Sequence, residues 1–440
     1  MDILIKIAQL FLCFTILVGI HELGHFLMAR AFKIRVEKFY IFFDPWFSLF
    51  KFKRGDTEYG LGWLPLGGYV KIAGMIDESM DKEQMKQPVK PDEFRAKPAW
   101  QRLLVMVAGV MMNALLAIVI YCAVCYTWGD SYFSNQDAKW GYNFNPTAHE
   151  MGFRDGDRFV SIDGEEIDNV MRVQNDLLIT DGGRRVVVER GGEPVTLDIP
   201  FESLLRMRQE KAYEDLFTLR LPFIVDSVSY TSAVEAGLES GDEVVAIDDL
   251  RDADYPRYRD YLQKHKNDKV LLTVRRDGAL IDSLALPVDA EGRIGVTVTN
   301  PYSLRTQYYT FWESIPAGIH KAGKTISSYW DQLKLIVQPK TKMYEELGGF
   351  VAIGSIFPSS WDWHDFWLKT AFLSIILAVM NLLPIPGLDG GHALFTLWEI
   401  ITRRKPSEKF LEVAQYVGLM IILALLVYAN GNDIYRFFIK

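Results

Sequence analysis

An apolar run from Ile3 to Met28, interrupted by Lys6 and Gln9, carries the sequence His21-Glu22-Leu-Gly-His25 close to its far end. About 20 apolar residues cross a bilayer as one helix, so this run is long enough to span. Its start is weakly basic and no small-x-small cleavage site follows, which argues against a signal peptide; cleavage would also discard the histidines. On a helix, His21 and His25 stand one turn apart on the same face. Both imidazoles can then reach a single Zn²⁺, with Glu22 beside them as a general base. On a wet helix the same five residues could be two surface histidines. In lipid, ionisable side chains are costly and persist where they pair, face a bundle interior or do chemistry. The setting therefore predicts a metalloprotease centre inside a membrane.

The chain has 440 residues, of which 49% are hydrophobic and 24% charged, and its mean hydropathy is +0.05. That hydropathy is high for a wholly soluble chain of this charge, so part of it belongs in lipid. A net charge of −8, with no basic aromatic-rich patch, excludes a general nucleic-acid binder. Cys13, Cys122 and Cys125 all fall in apolar segments, which leaves the polar middle of the chain without a disulfide. The Cys122-x-x-Cys125 pair reads as two small buried residues rather than as a redox or metal motif.

Three further apolar segments are long enough to span: Leu103 to Trp128, Phe366 to Leu383 and Phe410 to Tyr428. Between the first two spans, about residues 31–100, aromatic and basic residues alternate. Glu58 to Lys71 mixes apolar residues with glycine and ends its turn at Gly67-Gly68, which predicts short strands joined as a hairpin that dips into the interface. Tyr308 to Val337 reads as an amphipathic helix along a membrane surface. Arg30, Lys33, Arg35, Lys38, Arg95, Lys97, Arg102, Arg403, Arg404 and Lys405 all fall on one side of a four-span arrangement. By the positive-inside rule that side is cytoplasmic, so both termini and the polar middle face outward.

The polar middle holds an internal repeat. Thr147 to Asp163 aligns without gaps to Ser232 to Asp248. Each copy predicts a short helix closed by glycine (Gly152, Gly237), a Gly-Asp turn (Gly156-Asp157, Gly241-Asp242) and a strand. Ala233 to Asp249 closely resembles the recurrent phrase of PDZ domains in bacterial envelope proteases, and the first copy resembles it more loosely.

A catalytic zinc usually takes three protein ligands. His149, His265, His320 and His364 lie on the outer side of the four-span arrangement. Asn381-Leu-Leu-Pro384-Ile-Pro386-Gly-Leu-Asp389-Gly-Gly-His392 ends the third span on the level of His25, leaving Asp389 and His392 as candidates. Its prolines and glycines break the helix, which lipid tolerates where backbone lines a protein-filled or wet cavity.

His-Glu-Leu-Gly-His in the first span, Gly109-x-x-x-Asn113 in the second, the tandem repeat, and Asn381-x-x-Pro-x-Pro-x-Leu-Asp-Gly-Gly-His392 resemble the site-2 protease family, in its bacterial regulator-of-sigma-E type. The match runs through essentially the whole chain in order, with Val110 where relatives commonly carry proline. The resemblance implies Zn²⁺ held by His21, His25 and Asp389, Glu22 as catalytic base, and substrate contacts from Asn113, Asn381 and the Gly67-Gly68 element. It implies a multi-pass α-helical membrane protein of four spans, with a membrane-associated β-hairpin region and two tandem PDZ-like domains. The expected order is a span over 1–30, a cytoplasmic β region over 31–100, a span over 101–128, PDZ-like domains over 129–219 and 220–300, and a membrane-surface segment over 301–364. A span over 365–392, a cytoplasmic loop over 393–409, a span over 410–430 and a tail over 431–440 complete it. The implied setting is a bacterial inner membrane with periplasmic termini. The implied substrates are single-span membrane proteins such as anti-sigma factors and signal-peptide remnants, cleaved after a first trimming, with no nucleic-acid partner. A PDZ scaffold with a structural metal, and a metal transporter, are the competing readings; Glu22 discriminates, because neither needs a carboxylate at that spacing.

Overall fold

The computed structural model describes residues 2–64, 67–75, 88–213 and 215–439. Pro65 and Leu66 of the expected hairpin, and residues 76–87 of the 31–100 region, lie outside the described residues. The chain divides into two compact units, Met1–Asp130 with Tyr308–Lys440, and Ser131–Gln307.

Four helices in the first unit are long and apolar enough to cross a membrane: Asp2–Ala31, Ala99–Trp128, Trp363–Leu382 and Lys409–Phe437. This is the four-span membrane protein the sequence predicts. In α1 (Asp2–Ala31), Gln9, Cys13, Leu17, His21 and His25 recur every fourth residue and are all buried. That spacing keeps one stripe of a helix facing the protein. Cys13 and Leu17 pack with Phe357, Phe366 and Leu373, while the His21–His25 end meets α2 (Ala99–Trp128), where the helices nearly touch: a methyl on Gly24 would lie 2.5 Å from the Ala108 carbonyl oxygen. Without apolar-in-water driving force, lipid-embedded helices associate through such close small-residue packing.

Helix α3 (Phe311–Val337) opens on a capping box of Thr310 and Glu313. It is amphipathic as expected, but its narrow face does not lie on lipid. Ser314, Gly318 and Ala322 recur every fourth residue and are buried against α2, and a methyl on Gly318 would meet Cys122 Sγ at 2.5 Å. Trp312, Ile319, Ile326 and Trp330 remain exposed. The small-residue face of this segment thus packs along the second span, and its apolar face stays exposed.

The third span, α4 (Trp363–Leu382), is capped by Asp362 and stops before Pro384 and Pro386, neither of which can donate to a preceding carbonyl. Gly387 takes φ +97°, a backbone region open to glycine. The chain then enters α5 (Asp389–Thr402), so most of the loop expected over 393–409 is helix and the third span ends ten residues early. The reason is local: Ala393 to Thr402 contains no glycine or proline, and Glu399 is pinned to Arg102 of α2 at 2.5 Å. Helix α6 (Glu408–Ile434) follows, and helical backbone runs on to Ile439 where a tail was expected.

Four strands, β1 (Val36–Ile41), β2 (Phe50–Arg54), β3 (Thr57–Leu61) and β4 (Tyr69–Ile72), form a sheet in the order β2-β3-β1-β4. The hairpin expected across Gly60 to Tyr69 does not form, because β1 inserts between β3 and β4. It runs parallel to β3 (Tyr40 opposite Gly60) and antiparallel to β4 (Tyr40 opposite Tyr69). Glycine at 60 makes this possible, since a methyl there would lie 2.2 Å from the Tyr40 ring. The observed hairpin is β2-β3 instead, and β4 is left as an edge strand.

In the second unit the repeat is visible as structure. The first copy has β5 (Tyr142–Phe144), a helix Pro146–Glu150, β6 (Arg158–Ile162) and the hairpin β7 (Arg184–Arg190) with β8 (Glu193–Ile199). The second has β9 (Phe223–Val228), a helix Thr231–Glu235, β10 (Glu243–Ile247) and the hairpin β11 (Lys269–Arg276) with β12 (Ala279–Pro287). Each copy has its own apolar core, around Phe153, Phe159 and Val186 in one and Phe223, Val244 and Val270 in the other. In both, a buried aspartate after the Gly-Asp turn takes an arginine fork: Arg190 on Asp157 and Arg276 on Asp242, each through Nε and Nη2 at 2.7 Å.

Candidate active site

His21 and His25 reach the same point because they are one helical turn apart on the buried stripe of α1. Asp389 reaches it because the broken third span turns back and starts α5 with this residue at its first position. Asp389 Oδ2 lies 3.2 Å from His21 Nε2 and 3.3 Å from His25 Nε2, and the two nitrogens are 3.3 Å apart. Among the described residues this is the one group of three or more His, Cys, Asp or Glu side chains close enough to share an ion. Bonds of about 2.0–2.1 Å to a tetrahedral zinc place ligand atoms about 3.3 Å from one another, so the triangle has the right size. Asp389 Oδ2 is also buried without a hydrogen-bond donor, which a bound cation would remedy.

The other ring nitrogens are tied down by α2. His25 Nδ1–H donates to the Val105 carbonyl at 2.8 Å. His21 Nδ1 faces the Asn113 amide at 3.3 Å, and Asn113 Oδ1 is buried without a partner. With the amide oxygen and nitrogen exchanged, His21 Nδ1–H donates to Oδ1 and Nε2 is free to bind a metal. Gly109, one turn before Asn113, lies flat beneath the imidazoles: a methyl there would be 2.4 Å from His25 Nε2 and 2.7 Å from His21 Cε1. The absence of a side chain at 109 is what lets the histidine stripe seat against α2.

The triangle borders a cavity of about 820 Å³, whose walls also include Glu22, Asn381, Gly67, Gly68 and the β4 residues Tyr69 to Ile72. Gly68 abuts α1 at Glu22, where a methyl would come 3.2 Å from Glu22 Cγ. Asn381 Nδ2 is 3.4 Å from His21 Nε2 on the cavity side. Asn113 is fully buried behind His21 and is not among the lining residues, so it is placed to hold the imidazole. His392 lines a separate, smaller cavity with Arg102, Glu399 and Gln415. The sequence-predicted residues His21, Glu22, His25, Asp389, Asn381, Gly67 and Gly68 therefore meet at one cavity. Gly109 and the Val105 carbonyl were not singled out for this site. The first had a signal, a small residue on the same helix face as Asn113; a backbone carbonyl has none.

The model of Peptidase family M50 matches residues 9–425 of this chain. The chain belongs to peptidase family M50. Relatives agree along nearly their whole length. A Clostridium perfringens protein provisionally named zinc metalloprotease is 30% identical over 426 residues, 96% of each chain. The regulator of sigma E protease of Haemophilus influenzae is 27% identical over 460 residues, 99% of this chain and all of its own. A Vibrio cholerae protein, again provisionally named zinc metalloprotease, is 29% identical over 462 residues, 99% of each. This M50 member is accordingly a membrane-spanning metalloprotease of the site-2 type, as its motifs predict.

Proposed function

We propose that the protein is an intramembrane zinc endopeptidase in which His21, His25 and Asp389 hold the metal and Glu22 is the general base. The observation that carries this is the triangle of Nε2, Nε2 and Oδ2 atoms, 3.2–3.3 Å on a side, at the wall of a cavity that also contains Glu22. When bound, the metal would polarise the scissile carbonyl and make water a better nucleophile. Glu22 takes a proton from the attacking water and delivers it to the amide nitrogen as the carbon–nitrogen bond breaks. Asn381 is placed to donate to the oxygen that gains charge. Asn113 and the Val105 carbonyl keep both imidazoles in the productive orientation.

A helical substrate hides its scissile carbonyl in a hydrogen bond to the fourth residue on. The free edge of β4 beside Glu22 offers an alternative partner, so an unwound substrate segment adds to the sheet as a strand. Single-span substrates with cytoplasmic amino termini, trimmed beforehand on the outer side, fit this geometry, and the name of the Haemophilus relative suggests a regulator of a sigma factor among them. The basic residues near the helix ends support an orientation with both termini outward, and the bacterial relatives support an inner-membrane setting. The repeated units at 129–219 and 220–300, as PDZ-like domains, would screen or read the trimmed substrate. Glu22→Gln tests the reading in cells carrying a tagged single-span substrate. Cleavage should fall to background with zinc retained; wild-type cleavage by a zinc-loaded variant would overturn it in favour of a scaffold or transporter.

A further inference from the structure

We infer that Asp44 selects substrates with a hydrogen-bond-donating side chain, an amide or an amine, close to the scissile bond on its membrane-interior side; this rests on the proteolytic reading above. Phe43, Asp44 and Pro45 form one wall of the catalytic cavity, on the segment that follows β1. The Asp44 carboxylate is held at both oxygens. The Tyr69 hydroxyl donates to Oδ1 at 2.9 Å, and the Ser48 hydroxyl donates to Oδ2 at 3.0 Å. Tyr69 is itself fixed, its ring stacked with those of Tyr40 and Phe43 at centroid distances of 5.3 and 6.0 Å. A carboxylate offers about four acceptor positions, so two hydroxyls leave it room for a donor from the cavity. Among the described residues no cation pairs with it. Phe42 and Trp46, two residues to either side, take φ +69° and +75°, which is costly for bulky side chains. Such backbone persists where its surroundings over-determine it, and here it presents Asp44 to the cavity.

The course of β1 sets which side of the scissile bond Asp44 meets. Val36 packs with Ala29, a methyl on Gly19 would lie 3.7 Å from Ile41 Cδ1, and the Phe42 ring meets that of Phe11 at 5.1 Å. The strand therefore runs along α1 from the Arg30 end, past the level of His21, toward the interior of the span, and Asp44 follows at that inner end. Gly68 lies against Glu22, and Tyr69 beside it carries the hydroxyl that holds Asp44. A substrate strand added to β4 brings the residue opposite Tyr69, or its neighbour on the same face, up to the carboxylate. For a substrate with a cytoplasmic amino terminus, that residue follows the cleaved bond. Polar side chains are expensive in a lipid span, whereas a hydrogen bond to a carboxylate is roughly twice as strong as one between neutral groups. A donor at this position is therefore better satisfied in the cavity than in the intact substrate helix.

The test uses the full-length, zinc-loaded protein in vesicles and a single-span substrate that carries Leu or Asn at each of five consecutive positions on the membrane-interior side of the scissile bond. At one position the Asn substrate should be cleaved about tenfold faster than its Leu counterpart, and the positions directly before and after it should show no such gain, because their side chains leave the strand on the other face. Asp44→Asn still bonds both hydroxyls, its amide donating to Ser48 Oγ, but offers the substrate only a neutral acceptor; the ratio should fall to about threefold. Asp44→Ala should bring it to about one, and zinc content monitors folding of both variants. A wild-type ratio without positional preference would overturn the inference and leave Asp44 as a brace for Tyr69. A ratio that stays tenfold in Asp44→Ala would also overturn it, assigning the gain to the substrate's own weakened helix. Cleavage of the Asn substrate by zinc-loaded Glu22→Gln would instead defeat the underlying reading, whatever the ratio.

Discussion

The two units both bury aspartates, and they treat them in opposite ways. In the repeat unit, Asp157 and Asp242 are almost wholly inaccessible, yet each receives a two-pronged arginine and a backbone N–H, from Arg154 and Glu239 respectively, at 2.9 Å. In the membrane unit, Asp389 presents a buried oxygen that receives no hydrogen bond and faces two imidazole nitrogens. Burying an uncompensated carboxylate is expensive, and a satisfied one costs little. The satisfied aspartates hold turns together, and the repeat copies them faithfully. The unsatisfied one keeps a buried oxygen without a donor, which suits the proposed role as a metal ligand.

The sharpest way to break this contrast is to neutralise each carboxylate in turn. Asp389→Asn should abolish cleavage and lose zinc on dialysis, while the apoprotein melts no lower than the wild-type apoprotein, since a strained site stabilises nothing. Zinc content and thermal melting of the same samples decide it. Retained zinc in Asp389→Asn, with loss in His392→Ala, would transfer the ligand role to His392. Gly109→Ala comes next: its methyl has no room beneath His25 and His21, so activity should drop at least tenfold with zinc affinity, and wild-type activity would mean that the two helices separate easily.

Asn113 tests how the site is held. Removal of an outer partner of a metal-binding histidine typically costs about 10–100-fold in affinity or activity, and Asn113→Ala should fall in that range. Asn113→Asp should lose much less, because a carboxylate still accepts from His21 Nδ1–H. Equal losses in both variants would show that the amide N–H, and therefore contact with a substrate, is what matters.

The same contrast explains what could be read from the sequence. The repeat was legible because each copy builds its turn, strand and ion pair within about 35 residues, and the alignment from Thr147 to Asp163 spans a complete local unit. The metal triangle was partly legible. The His21/His25 spacing is helical geometry, but the choice between Asp389 and His392 depends on how Pro384 to Leu388 folds back, which local pattern does not specify. The strand order was not legible. Alternating apolar residues and glycines show that β3 and β4 are strands, and nothing local reveals that β1 comes between them. The small-residue face of α3 was likewise masked by the lysines and aromatics on its other sides.

The smallest expected effects concern the satisfied aspartates. Asp242→Asn removes the charge that orders Arg276 and should destabilise the second repeat by about 1–3 kcal/mol, read as faster hydrogen exchange in Glu243–Ile247 and Lys269–Arg276, with zinc and cleavage chemistry retained. Acid should reproduce part of that loss in the wild type. Burial pushes the Asp242 carboxyl up, but the Arg276 fork and the Glu239 N–H outweigh it and hold the group below the usual carboxylate range. Between the folded and unfolded values the unfolded chain binds more protons, so stability rises with pH there. The contribution is complete above the ordinary aspartate value of about 3.9 and disappears as pH falls through the lower, folded-state value. Protection factors in these two strands, corrected for the intrinsic pH dependence of amide exchange, should therefore fall below about pH 4 in the wild type and respond less in Asp242→Asn. An identical acid response in both proteins would show that other carboxylates set the acid limit of this repeat.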